Sequence, residues 1–204
     1  MIVGVDFDNT IVCYDELFRR AALRRGWIPP TVPPAKTAVR DYLRAAGQES
    51  RWTELQGHVY GDGMSEAAPF PGALEFFARC VRRKIPVFII SHRTRYPFLG
   101  GARDLHEAAR DWLRAAGFHD PHRIGLPEEN VCLELTVEEK LARIRQTGCS
   151  HFIDDLPEFL DEPRFPETVQ KILFDPGGRW PDRPGAHRVE SWPMVARLLL
   201  ADEP

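Results

Sequence analysis

Short apolar runs alternate with amphipathic segments along most of the chain. Runs of this length that are rich in β-branched and aromatic residues predict strands buried on both faces of a sheet. Such runs lie at residues 2–5, 86–90, 131–133, 151–153 and 171–174. Between and after them, apolar residues recur at helical spacing, as Leu74, Phe77 and Val81 do. Strands that alternate with helices predict an α/β protein, a parallel sheet with helices on both faces.

The segment between the first two predicted strands contains helical patterns and no predicted strand. Helices are predicted over residues 16–27, 37–47 and 50–59, and a proline-rich loop over residues 28–34. The second of these helices has apolar residues at positions i, i+3, i+4 and i+7. We therefore predict a core of residues 1–13 and 69–204, interrupted by a small helical insertion of residues 14–68.

Composition narrows the class of protein further. The 204 residues are 43% hydrophobic and 28% charged, as in ordinary globular proteins. The net charge of -3 gives no electrostatic footprint for nucleic acid or for an acidic membrane surface. No apolar run is long enough for a signal peptide or a membrane span. The four cysteines have no C-x-x-C spacing, which favours reduced thiols, and we expect a cytoplasmic protein.

The first predicted strand ends in the sequence Asp6-Phe7-Asp8-Asn9-Thr10. Side chains alternate between the faces of a strand, so Asp6 and Asp8 leave it on the same side. Two carboxylates placed close together repel each other unless a cation lies between them. The backbone N–H groups and the hydroxyl of Asn9 and Thr10 are suited to hold an anion. The alternative is that the two aspartates only solvate the strand end and open a turn.

Three other polar stretches lie at the end of a predicted strand or at the start of a predicted helix. Ser91 ends the second predicted strand, the pair Asp154-Asp155 follows a later one, and Lys140 lies in a first helical turn. The carboxyl ends of parallel strands meet at one edge of the sheet, where active sites of such folds lie. Residues Thr136 to Glu139 match a capping box, which places Lys140 against the helix dipole, and an anion nearby would compensate for this.

Each of these signals also has a purely structural interpretation. A serine at a strand end often serves only as a cap, and Lys140 could simply be a solvated lysine. Residues Asp155 to Glu158 match a helix-capping pattern, with Pro157 allowed in the first turn.

The ordered set of four stretches resembles the haloacid dehalogenase superfamily of phosphohydrolases. The likeness covers about residues 1–13 and 69–200, and the helical insertion occupies the position of that family's type 1 cap. The resemblance implies a three-layer α/β/α Rossmann-like sheet. It also implies that Asp6 is a nucleophile that forms an aspartyl-phosphate and that Asp8 is the general acid and base.

The same resemblance implies the rest of the site. Ser91 and Lys140 would contact the phosphoryl group, together with Asn9 and Thr10. The metal ligands implied are Asp6, Asp8 (also through its backbone carbonyl), Asp154 and Asp155, of which we favour Asp155 as a direct ligand and Asp154 as an indirect one. Mg²⁺ is a hard ion that prefers oxygen ligands, so it suits a site without clustered histidines or thiolates.

Ser91-His92-Arg93 resembles the Ser-x-Arg sequence in the phosphatase domains of polynucleotide kinase-phosphatases. An arginine there can form a bidentate contact with a phosphate or with a second anionic group of a substrate. A surface arginine that faces solvent is an equally weighted alternative. His92 is a weaker candidate for the same phosphate contact.

These inferences predict a Mg²⁺-dependent phosphomonoesterase acting on a small phosphorylated metabolite, a nucleotide or a sugar phosphate. Three alternatives stay open: a phosphatase on nucleic-acid ends or a phosphoprotein, a phosphomutase, and a non-catalytic phosphate-binding regulatory module. The net charge disfavours nucleic acid, whereas Arg93 mildly favours it. A true dehalogenase is disfavoured because it would not need Asp8 or the acidic pair.

Overall fold

A six-stranded parallel sheet forms the centre of the computed structural model, which describes residues 1–201. Its strands are ordered β5-β4-β1-β6-β7-β8, and each pair of neighbours is parallel. Two further short strands, β2 and β3, pair in a separate two-stranded sheet. The strands are β1 (Val3–Val5), β2 (Val12–Cys13), β3 (Ala68–Pro69), β4 (Val87–His92), β5 (Val131–Glu134), β6 (His151–Asp154), β7 (Gln170–Phe174) and β8 (Ala186–Val189).

Within residues 1–201, eight α-helices accompany the strands. They are α1 (Asp15–Arg24), α2 (Lys36–Ala45), α3 (Glu49–Tyr60), α4 (Ala73–Arg82), α5 (Leu105–Ala116), α6 (Val137–Gln146), α7 (Pro157–Leu160) and α8 (Trp192–Leu200). Short 3₁₀ turns lie at Asp62–Glu66 and Glu128–Asn130. The predicted α/β class with a parallel sheet is confirmed, and each of the five predicted strands is present.

The two faces of the main sheet are covered by different helices. On one face, Ile90 and Phe152 pack in a buried cluster with Leu141 and Ile144 of α6 and with Leu160 of α7. On the other face, the ring of Phe174 in β7 lies 5.6 Å from that of Trp192 in α8, and the Trp192 ring lies 5.0 Å from Phe76 of α4. The sheet is therefore the middle of three layers.

The central strand β1 contains a glycine in a tightly packed part of the core. Gly4 lies in register with Phe88 of β4 and with Phe152 of β6, so all three side-chain positions point to one face. A Cβ on Gly4 would lie 2.5 Å from Phe152 Cδ2 and 2.9 Å from Cys149 Sγ. Only glycine leaves room there for the phenyl ring, and this close packing fixes the strand that ends at Asp6.

We expect Gly4→Ala to destabilise the protein by about 1–3 kcal/mol, because its methyl group overpacks a dense core. Urea unfolding measures this free energy. Gly177→Ala is the matched control, since its new Cβ would meet only the flexible side chain of Arg179, at 3.3 Å. Equal midpoints for Gly4→Ala and the native protein would contradict the packing argument.

The chain divides into two compact units. The first consists of residues 1–11, 69–93 and 117–201, and the second of residues 12–68 and 94–116. The predicted boundaries place residues 94–116 in the core, whereas the structure groups them with the insertion. The cause is the packing of α5, whose Trp112 Nε1 donates a hydrogen bond to the Ala67 carbonyl at 2.9 Å.

The second unit is mainly helical: α1, α2 and α3 pack on one another, and α5 packs on α3. Its interior is aromatic: the rings of Phe18 and Trp52 stack at 5.0 Å, and those of Tyr14 and Tyr60 meet edge to face at 5.0 Å. Trp52 is buried in this interior, with 3% of its surface exposed. Within residues 1–201, no helix is both long enough and apolar enough to cross a membrane.

Candidate active site

Asp6 lies directly beyond the central strand, between residues from both neighbouring strands. Its backbone N–H donates to the Ile153 carbonyl at 2.8 Å, which continues the pairing with β6 for one residue. From β4, Ser91 Oγ donates a hydrogen bond of 2.9 Å to Asp6 Oδ1. Both side chains are buried. The order of strands thus brings together two residues that are 85 positions apart, as the sequence predicts.

Lys140 reaches the same carboxylate from helix α6. The predicted capping box is present: Glu139 N donates to Thr136 Oγ1 and Thr136 N donates to Glu139 Oε2, both at 3.1 Å. This cap fixes the start of α6 and directs Lys140 inward. The lysine is 1% exposed, and its Nζ lies 2.7 Å from Asp6 Oδ1 and 2.7 Å from Asp154 Oδ2. The interpretation of Lys140 as a solvated lysine is therefore wrong.

The charge of Lys140 depends on these two carboxylates. Burial by itself would lower the pKa of the ammonium, but Asp154 and Asp6 outweigh it and hold the pKa above its ordinary value. Lys140 is thus a cation at neutral pH. Burial raises the pKa of Asp154 above its usual range, an effect that Lys140 opposes and Asp6 strengthens. The cluster of Lys140, Asp6 and Asp154 therefore has fewer positively charged than acidic groups.

An oxygen cluster lies beside the lysine. Asp6, Asp154 and Asp155 are all buried, and each offers a carboxylate oxygen within 4.8 Å of the others. Such a set fits a hard divalent cation such as Mg²⁺. Both oxygens of Asp154 already accept hydrogen bonds, Oδ1 from Leu156 N at 2.9 Å and Oδ2 from Lys140. Which of Asp154 and Asp155 is the more direct ligand stays a prediction.

The helix after Asp155 begins one residue later than the capping pattern of residues 155–158 predicts. Helix α7 has Leu156 as its N-cap, Pro157 in its first turn and no side-chain capping bond.

Asp8 belongs to a different part of the site. Its side chain is 23% exposed, and its Oδ1 lies 3.7 Å from Arg93 Nη1. Within the described residues, the carboxylate of Asp8 is not part of the oxygen cluster. The next residue, Asn9, has a φ of 55° and reverses the chain. The Thr10 hydroxyl is fully buried and has no hydrogen-bond partner among residues 1–201.

Arg93 and His92 extend this edge of the sheet. Arg93 is 7% exposed, and its guanidinium carbon lies 5.8 Å from the centre of the Phe7 ring. The alternative of a surface arginine facing solvent is therefore wrong. The His92 ring stacks on Phe159 at 6.3 Å, and burial, followed by the charge of Lys140, lowers the pKa of His92.

Comparison with known proteins bears on the fold. No family model matches the sequence, and no curated protein matches it. Among solved structures, the chain is similar to a HAD-superfamily hydrolase of subfamily IA, variant 1, from Geobacter sulfurreducens (TM-score 0.57, 13% identity, covering 97% of this chain and 95% of the other). It also resembles the putative HAD-hydrolase YfnB from Bacillus subtilis bound to magnesium (0.54, 10%, covering 97% of each).

A third similar structure is the L-2-haloacid dehalogenase from Xanthobacter autotrophicus with chloropropionic acid covalently bound (0.50, 13%, covering 98% of this chain and 99% of the other). These matches span nearly the whole chain. The chain has the haloacid dehalogenase fold. The resemblance inferred from the four sequence stretches is thereby confirmed for the fold, while the type of cap stays a prediction.

Two features of this example of the haloacid dehalogenase fold have no counterpart in the sequence analysis. The rings of Phe159 and Phe152 lie against the ammonium of Lys140, with their centres 4.0 and 5.4 Å from Nζ. Asp175, fully buried after β7, accepts hydrogen bonds from the backbone N–H groups of Arg179 and Trp180 at 3.0 and 2.9 Å. An aspartate that ends an apolar strand is the signal that singles out Asp6, and it could have found Asp175.

Proposed function

We propose that the protein is a cytoplasmic, Mg²⁺-dependent phosphomonoesterase that hydrolyses a small phosphorylated metabolite through an aspartyl-phosphate on Asp6. The observation that carries the proposal is the buried combination of Lys140 with the carboxylates of Asp6, Asp154 and Asp155. Phosphoryl transfer depends on positioned nucleophiles and on neutralised oxygen charge. A nucleophile, a fixed cation and a divalent-ion site meet both needs.

The residues that would hold Mg²⁺ are Asp6, Asp154 and Asp155, with the backbone carbonyl of Asp8. When bound, the ion supplies charge neutralisation for the phosphoryl oxygens and an anchor for the substrate. The bound magnesium in the similar Bacillus subtilis structure supports the choice of metal.

Two displacements follow from these residues. In the first, a carboxylate oxygen of Asp6 bonds to phosphorus, the bond to the leaving oxygen breaks, and Asp8 gives that oxygen a proton. In the second, water bonds to phosphorus, the bond to Asp6 breaks, and Asp8 takes the proton of the water. Ser91 and Lys140 hold the Asp6 carboxylate in place. Asp8 is partly exposed, which suits a group that exchanges protons with substrate and water.

The position of Arg93 is a second argument for a phosphate ligand, and it does not involve the metal. A guanidinium that is 7% exposed and 3.7 Å from Asp8 is placed beside the acid–base group, where a phosphoryl oxygen or a second anionic group would lie. His92, Asn9 and Thr10 are proposed as further contacts of that phosphate.

The dehalogenase among the similar structures represents the nearest rival reaction. Displacement of a halide by a carboxylate needs no divalent cation, so the buried acidic pair Asp154 and Asp155 has no task in it. This is why we favour phosphate esters. A phosphomutase would share the aspartyl-phosphate and differ only in its acceptor.

Hydrolysis of an aryl phosphate, followed by a panel of nucleotide and sugar phosphates, tests the function. We expect phosphate release that EDTA abolishes and Mg²⁺ restores. Asp155→Asn should raise the Mg²⁺ concentration for half-maximal activity more than Asp154→Asn does. Asp154→Asn should mainly lower stability, because both oxygens of Asp154 hold the fold.

Three other outcomes would overturn parts of this proposal. Release that is unaffected by EDTA would remove the metal assignment. Release only with a phosphorylated activator would indicate a mutase. No release from any compound, together with binding of inorganic phosphate, would indicate a non-catalytic module.

A further inference from the structure

The ammonium of Lys140 has an unusual set of neighbours. It is almost fully buried, and two carboxylate oxygens lie 2.7 Å from its Nζ. A lysine ammonium has three N–H donors. The ring of Phe159 lies 4.0 Å from Nζ, measured to the ring centre. That distance is within the range in which the negative face of an aromatic ring attracts a cation.

Phe159 is itself held firmly. It is 4% exposed, and its ring lies 5.8 Å from Phe152, 5.7 Å from Phe165 and 6.3 Å from His92. It belongs to α7, the short helix that begins at Pro157, directly after Asp154-Asp155-Leu156. One short segment thus supplies both the acidic pair and the ring against the lysine.

We propose that Phe159 is a positioning residue for Lys140: the ring face holds the ammonium at the point where it bridges Asp6 and Asp154 at once. A cation between two carboxylates can move toward either one. The ring adds a third attraction from another direction, and it is apolar, so it gives this support without competing for the N–H groups as an oxygen would. The cation–π contact keeps Asp6 in line for attack on phosphorus.

This inference rests on the proposed function for its kinetic readout. The test replaces Phe159 with mono-, di- and trifluorophenylalanine, which keep the shape of the ring and progressively weaken its negative face. We expect kcat to fall stepwise, to about one tenth for the trifluoro residue, with little change in KM. We expect kcat to fall because the substitution disturbs the position of the nucleophile Asp6. KM should change little because the substitution leaves substrate binding intact.

Phe165 is the matched control in the same core. It packs on Phe159 and Phe152, and it has a cation of its own, Lys171, whose Nζ lies 4.9 Å from its ring centre. Fluorination of Phe165 alters the same aromatic cluster and a lysine contact outside the site. We expect kcat to stay within about twofold of the native value.

A second readout does not need activity. Protons held over a ring face are shielded by its ring current, so the ¹H–¹⁵N resonance of the Lys140 ammonium, assigned with Lys140→Met, should lie upfield of the other lysines. Phe159→Leu should remove most of this shift and leave the smaller contribution of the Phe152 ring, whose centre lies 5.4 Å from Nζ. Phe159→Tyr should retain the full shift. If no substrate is hydrolysed, the function fails while this spectrum still tests the contact.

Two results would overturn the inference. One is an equal kcat across the fluorinated series at Phe159. The other is an ordinary chemical shift for the Lys140 ammonium. A parallel fall of kcat in the Phe165 series would also count against it, because it would trace the effect to core packing in general.

Discussion

Replacing Asp6 with asparagine should abolish turnover and leave the fold intact. Asparagine has nearly the same shape and still accepts hydrogen bonds from Ser91 and Lys140. Its amide is a poor nucleophile, so kcat should drop by on the order of 10⁴-fold or more. The measurement is phosphate release under saturating substrate, with circular dichroism and urea unfolding to show that the variant is folded.

The same experiment includes a chemical test of the intermediate. Rapid quenching of the native protein during turnover should trap phosphate in a form that hydroxylamine releases, and Asp6→Asn should trap none. Asp41→Asn, on the exposed surface of α2, is the control and should behave as native protein. Residual turnover in Asp6→Asn with normal kinetics would assign the nucleophile elsewhere.

Replacing Lys140 with methionine should have the largest effect on stability. Methionine has a similar length, but it leaves three buried carboxylates close together without the cation that bridges two of them. Removing one partner of a buried ion pair costs about 3–5 kcal/mol. We therefore expect the free energy of unfolding in EDTA to fall by about that amount and kcat to collapse.

Magnesium should raise the stability of Lys140→Met without restoring its activity. The cluster without Lys140 is more negative, so Mg²⁺ should bind it more tightly and raise its stability more than that of the native protein. Activity should not return. Lys171→Met is the control, because Lys171 is only partly buried and contacts the ring of Phe165. A Mg²⁺ affinity that falls in Lys140→Met would show that the lysine is not in competition with the metal.

Much of the fold can be predicted from the sequence because five of the six strands of the parallel sheet contain short apolar runs. The sixth strand of this sheet, β8, could not be predicted, because it reads Ala-His-Arg-Val and has no apolar run. The two-residue strands β2 and β3 are too short to give a pattern. The grouping of α5 could not be predicted either. A helix that connects two parallel strands ordinarily packs on their sheet, whereas α5 packs on α3 and donates the Trp112 hydrogen bond to Ala67, which groups it with the helical unit.

The site could be predicted where residues end strands. Asp6, Ser91 and Asp154 come together because parallel strands end at one edge. Lys140 follows from the capping box that starts its helix. Burial could not be predicted: a lysine and an arginine are normally exposed, so the solvated alternatives for Lys140 and Arg93 were excluded only by structure. The role of Phe159 could not be predicted, since an aromatic residue in a short helix is ordinarily part of the core.

The two outer strands of the sheet have a consequence for behaviour in concentrated solution. Strands β5 and β8 have only four residues each. β8 carries His187 and Arg188, Ala186 is also bridged by Arg183, and β5 ends at Glu134, which pairs with Arg143. Long, flat, apolar edges recruit strands from other chains, and short charged ones do not. Because both edges are short and carry charged residues, we expect them to resist aggregation through pairing with strands of other chains.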